Sequence, residues 1–215
     1  MNRLVISDLE YTYKDQTEPV KVLKGVSAEF SEGKLYAIQG ESGSGKTTLL
    51  SLLSALDEIQ DGDIKYNNKS IREIGLSDFR LKYVNIVFQS FNLIKYMTAA
   101  ENVQVAIDFA GRHDDPLRYL KKVGLDEAAS SRLVNKLSGG QQQRVAIARA
   151  LASDVPIIVA DEPTGNLDED TEAKIIDVFK DLAHKDKKIV IIVTHSRKVA
   201  EQADKVLKLS RGKIS

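Results

Sequence analysis

Along the first forty residues apolar and polar positions alternate with a period of two, so Leu4–Leu9, Val20–Phe30 and Lys34–Gln39 read as strands. A Ser-Glu-Gly turn separates the last two. After Gly45 the pattern changes to Lys-Thr-Thr-Leu-Leu-Ser-Leu-Leu-Ser-Ala-Leu, the leucine spacing of a buried helix. A strand-like run, Tyr83–Phe88, then precedes a mostly helical stretch that reaches about Ala152. Beyond it strand and helix alternate: Ile157–Ala160, a helix near Thr171–Ala183, Ile189–Val193, a helix near Ser196–Gln202, and Lys205–Leu209.

Near-continuous β-branched runs interleaved with helices indicate a parallel sheet buried on both faces. The expected fold is therefore α/β. A mainly parallel core carries a short antiparallel sheet from the N-terminal strands and a helical insertion between about Thr98 and Ala152. At 215 residues the chain has the length of one large domain. The expected division puts the core and antiparallel sheet in 1–88 and 153–215, and the helical part in 89–152.

Composition removes several function classes. Thirty-one Lys and Arg balance 31 Asp and Glu, which leaves no electrostatic footprint for nucleic acid, and none is expected as a partner. Without cysteine there is no disulfide framework, thiolate catalysis or Cys-ligated zinc. The longest apolar runs are strand-length, far below the roughly 20 residues of a membrane helix. The first twenty residues alternate apolar and charged positions, unlike a secretory signal. The chain is expected neither to cross a membrane nor to enter a secretory route by itself.

The candidate chemistry begins at Gly40-Glu-Ser-Gly-Ser-Gly45-Lys46-Thr47, a G-x-x-x-x-G-K-[ST] loop between a strand and an apolar helix. Gly40, Gly43 and Gly45 let successive N–H groups point inward as an anion nest, with Ser42, Ser44 and Thr48 as additional donors. Lys46 supplies charge for the β- and γ-phosphates, and Thr47 a hydroxyl for Mg²⁺. Ile157–Ala160 leads into Asp161, the expected acidic partner of that Mg²⁺. Glu162 follows at once and points elsewhere, towards a water beyond the γ-phosphate. The ligands implied are a nucleotide and Mg²⁺. Farther up, Leu137-Ser138-Gly139-Gly140-Gln141 offers a serine cap and exposed N–H groups at the positive end of a helix, a second phosphate-facing surface.

That stretch, continued by Gln-Gln-Arg-Val-Ala-Ile-Ala-Arg-Ala, resembles the signature of ATP-binding cassette (ABC) ATPases, and the resemblance extends over essentially the whole chain. It implies a P-loop NTPase (RecA-like) core and further site residues. Gln89 matches the glutamine that senses Mg²⁺ and water. Gly165-Asn166-Leu167-Asp168 matches the D-loop, and His195 the switch histidine at the γ-phosphate. Tyr13 stands where the family places an aromatic on adenine, although Tyr11 lies two residues away on the same strand face. His113 and His184 carry no motif and read as surface residues. The resemblance also implies a head-to-tail dimer of two copies, or of this chain with a paired cassette subunit. Each ATP would then lie between one P-loop and the other subunit's Ser138, Gly139, Gly140 and Gln141.

Ala160–Asp168, Val87–Ile94 and Thr98–Val103 are similar to the macrolide-export and lipoprotein-release branch, whose cassettes serve permeases with few membrane spans and a large extracytoplasmic domain; the resemblance implies an ATPase subunit coupled to export or mechanotransmission by separate permease subunits. This implies a cytoplasmic protein peripheral on the inner face of the cell membrane. The competing expectation is a soluble single-cassette ATPase of the iron–sulfur assembly type.

Overall fold

The computed structural model describes residues 1–14 and 18–215. The chain opens with β1 (Arg3–Tyr13), β2 (Val20–Ser31), β3 (Lys34–Gln39), α1 (Lys46–Leu53), β4 (Asp61–Tyr66) and β5 (Lys69–Ser70). It continues through α2 (Ile71–Ile74), α3 (Leu76–Lys82) and β6 (Val84–Val87). A helical run follows: α4 (Ala99–Phe109), α5 (Pro116–Lys122), α6 (Glu127–Ser130) and α7 (Gly139–Ala152). The chain then returns to alternation with β7 (Ile157–Asp161), α8 (Glu169–His184), β8 (Ile189–Thr194), α9 (Arg197–Ala200), β9 (Lys205–Ser210) and β10 (Lys213–Ile214).

Two sheets result, as the pattern predicts. The core sheet runs β10-β9-β3-β8-β7-β6, parallel throughout except for β10 at its edge. The other is antiparallel in the order β2-β1-β4-β5. The core strands look continuously apolar because both faces are covered. In β8, Ile189, Ile191 and Val193 pack towards α1 and the antiparallel sheet, whereas Val190 and Ile192 pack towards α7 and α8. Helices α4, α5 and α7 share that second core, through Val103, Ile107, Leu120 and Ile147 against Val87 and Ile158. The helical run is thus welded to the sheet by burial and does not stand on a core of its own.

Strand β4 goes beyond the sequence expectation. The pattern assigns Asp61–Tyr66 to no element, and pairing with β1, Ile6 opposite Ile64 and Leu4 opposite Tyr66, holds the segment extended. The functional consequence of the topology lies at one edge. Parallel strands β3, β6, β7 and β8 end on the same side, so the residues that follow them meet there. Those residues are the glycine loop, Gln89, Glu162 and His195.

Candidate functional site

The glycine loop joins β3 to α1, and Gly45 occupies the N-cap position at φ 103°. A side chain there is excluded twice over. The backbone is left-handed, and a Cβ would stand 2.9 Å from Leu23 Cδ2. With glycine at the cap, no side chain satisfies the first N–H groups of α1, which stay open to an anion. Lys46 Nζ bends back over the loop, donating to the Gly40 carbonyl at 2.7 Å and the Glu41 carbonyl at 2.8 Å. The Ser44 hydroxyl is buried and makes no hydrogen bond. A cavity of about 590 Å³ flanks the loop, reached by Ser42, Ser44, His195, Lys208 and Arg211.

Asp161 and Glu162 leave β7 in different directions. Asp161 is partly buried; burial and the neighbouring Glu162 charge push its carboxyl up, and Lys46 opposes them. Glu162, at φ 44°, turns its carboxylate onto β8. One oxygen accepts from the His195 backbone N–H at 2.7 Å and lies 2.6 Å from His195 Nδ1, while the other accepts from the Thr194 hydroxyl at 2.9 Å. With Nδ1 directed at the carboxylate, the exposed imidazole has Nε2 available. Thr194 is a site residue that sequence reasoning missed. Its place at the end of β8, one register step from Asp161 opposite Val193, was the available signal.

Ser138 and Gln141 form a capping box on α7: the serine hydroxyl accepts from Gln141 N–H at 3.3 Å, and the glutamine side chain accepts from Ser138 N–H at 3.0 Å. The serine O–H proton remains free to donate. Gly140 lies against the D-loop segment of its own chain, where a Cβ would stand 3.2 Å from Leu167 Cδ2. Ser138–Gln141 are not among the residues lining the cavity at the glycine loop. Asp168 caps α8, accepting from Thr171 N–H at 2.9 Å and its hydroxyl at 2.8 Å, and these bonds hold its carboxyl below the usual range.

Tyr13 is half exposed, and its hydroxyl lies 3.2 Å from Thr48 Oγ1, over the start of α1. Tyr11, edge-on to it, packs instead against the core. Gln89 is exposed beyond β6. His184 is at the surface yet paired, 2.8 Å from Asp204. The donor set at the loop (open N–H groups, an unpartnered buried hydroxyl, the Lys46 ammonium and a carboxylate kept in a costly setting) suits a polyphosphate with a hard divalent cation.

This geometry agrees with the comparisons. Residues 23–165 match the ABC transporter family, and the chain belongs to it. It is thus an ATP-binding cassette, an ABC-type ATPase using ATP with Mg²⁺. An uncharacterized ABC transporter ATP-binding protein of Bacillus subtilis, YclH, is 46% identical over 100% of this chain and 96% of its own length. The macrolide export ATP-binding/permease protein MacB of Mannheimia succiniciproducens is 37% identical over 100% of this chain, which spans 34% of that protein. Among solved structures, the dimeric MJ0796 cassette superposes with a TM-score of 0.92 at 38% identity, covering 99% of this chain and 96% of that one. MJ0796 is a protein of Methanocaldococcus jannaschii. A second structure of it is a dimeric post-hydrolysis state bound to ADP and Pi, with the same TM-score.

Proposed function

We propose that this chain is the ATP-hydrolysing subunit of a transporter whose permease is a separate membrane chain, and that it acts as a head-to-tail pair on the inner face of the membrane. The observation that carries the reading is the separation of two anion-facing surfaces on one chain. The glycine loop lies beside Asp161 and Glu162, and the Ser138–Gln141 turn stands apart from that cavity. A second copy, or a paired cassette subunit, brings its own turn to the phosphate. The dimeric MJ0796 structures and the macrolide exporter, which joins cassette and permease, support this arrangement. Among the described residues no helix is long and apolar enough to cross a membrane.

In this reading the N–H groups of Gly43, Gly45, Lys46, Thr47 and Thr48, with Gly40 shaping the turn, bind the phosphates. Ser42 and Ser44 add hydroxyls. Tyr13 stacks on the adenine. Thr47, Asp161 and Gln89 would hold Mg²⁺, which would neutralise charge developing on the transferred phosphoryl group. Lys46 stabilises the same charge. Glu162 orients and deprotonates the attacking water, after its carboxylate is released in part from Thr194 and His195; His195 then holds the γ-phosphate through Nε2. Ser138, Gly139, Gly140 and Gln141 of the second subunit contact that phosphate, and Asp168 borders the interface. Hydrolysis removes those contacts and the pair reopens, a shift between two states that the permease reads. Helices α4 to α7, within 89–152, form the subdomain facing it.

Glu162→Gln tests the assignment. The variant keeps the shape and hydrogen-bonding reach of the side chain but is no base, so nucleotide binding survives while kcat falls by about 10²- to 10⁴-fold. A near wild-type rate in a phosphate-release assay overturns it.

A further inference from the structure

The segment after Gln89 contains two consecutive non-glycine residues in the left-handed region, Phe91 at φ 64° and Asn92 at φ 47°. Such backbone persists only where the surroundings impose it. The restraint comes from α7. Arg149 Nη1 donates to the Asn92 carbonyl at 2.8 Å, and Nη2 to the Phe91 carbonyl at 3.2 Å. A planar guanidinium forked onto two successive carbonyls fixes their orientation as well as their position, which an ammonium does not do. Burial disfavours the charge of Arg149, so these acceptors matter to it in turn.

A second anchor lies three residues on. Asn102 of α4, fully buried, accepts from Ile94 N–H at 2.8 Å and donates to the carbonyls of Ile94 at 3.2 Å and Thr98 at 3.0 Å. The stretch from Phe91 to Thr98 is therefore bound to the helical layer by two polar side chains. Gln89, two residues before the first anchor, sits where this stretch joins β6. Arg149 also lies eleven positions along α7 from Ser138, about 16 Å at 1.5 Å per residue. One rigid helix thus offers open N–H groups at its start and grips the glutamine loop near its end.

We propose that Arg149 is a positioning residue that sets where Gln89 stands and makes it move as one unit with the Ser138–Gly140 turn. The inference rests on the reading of Gln89 as a Mg²⁺- and water-facing group. Its consequence is that arrival of the second phosphate-facing surface and placement of Gln89 are one event. A cassette whose turn is not seated holds Gln89 out of place.

The test is a double-mutant cycle on the purified full chain, with steady-state ATPase assays giving kcat and KM separately and a thermal melt for every variant. Arg149→Ala lowers kcat about 10- to 100-fold, the scale of a lost alignment, with KM within about twofold. Arg149→Lys, which keeps the charge but not the fork, recovers only part of the rate. In a Gln89→Ala background, Arg149→Ala lowers kcat by less than about threefold more, because the residue it positions is gone. Losses that multiply across the cycle, or an effect confined to KM, overturn the proposal. Gln89→Ala with unchanged kcat is a different failure: it removes the role of Gln89 on which the proposal stands. If Arg149→Ala does not fold, Arg149→Lys carries the same cycle.

Discussion

Asp161 and Glu162 are neighbours in the chain with opposite surroundings. Glu162 is met by three donors from Thr194 and His195, while Asp161 is partly buried beside a like charge with only Lys46 in compensation. A carboxyl whose folded-state pKa is raised favours folding in its neutral form. That contribution is complete below the unfolded value, about 3.9 for Asp, and is lost as pH rises through the folded value. At pH 7 the ionised Asp161 therefore destabilises the nucleotide-free chain. Asp161→Asn should raise its stability there by about 0.5–2 kcal/mol, with the gain shrinking as pH falls towards 4. The same variant should lose the extra thermal stabilisation that Mg²⁺ adds to ATP. Melting curves with ATP plus EDTA and with ATP plus Mg²⁺ measure both effects, and a lower melting temperature for the variant contradicts the argument. Both carboxylates were legible as a pair at a strand end. Their unequal settings were not, because these depend on Thr194 and His195, more than thirty residues away in the chain.

At the scale of elements, α7 joins the parts of the site. Its capping box was half visible in sequence, since Ser138 stands before the helix and Gln141 three residues on. Replacing Ser138 by Ala costs about 1 kcal/mol and by Gly only a few tenths, because glycine tolerates the cap backbone. Ser138→Gly thus removes the hydroxyl with little loss of fold. It should melt near wild type by calorimetry and still show weakened ATP-dependent pairing; unchanged pairing would mean that the hydroxyl contributes only as a cap. The two arginines of α7 look alike in sequence, yet Arg144 donates to the Gly124 carbonyl and Arg149 to Phe91 and Asn92. Helical periodicity assigns them faces; packing of distant loops assigns them partners. The same reason hid β4, whose few apolar residues carry a strand only when β1 is beside them.

For the whole molecule, the proposed reading makes the chain one half of a pair. Light scattering of Glu162→Gln should show a monomer without nucleotide and a dimer with ATP, since the phosphate joins two surfaces that one chain holds apart. Wild type purified from native membranes should bring an integral membrane protein with it; recovery of the chain alone would count against the transporter reading. Order along the chain was enough to establish the α/β class, the glycine loop, the strand-end carboxylates and the signature turn. Each depends on local spacing, on which residues can adopt a strand, a nest or a cap. Spacing does not say that Glu162 leans on Thr194 and His195, that Tyr13 rather than Tyr11 reaches over α1, or that Arg149 holds the glutamine loop. Those pairings join residues 32 to 58 positions apart. Only the packing of parallel strands and inserted helices, which trades chain entropy for burial of a shared core, brings them within a hydrogen bond.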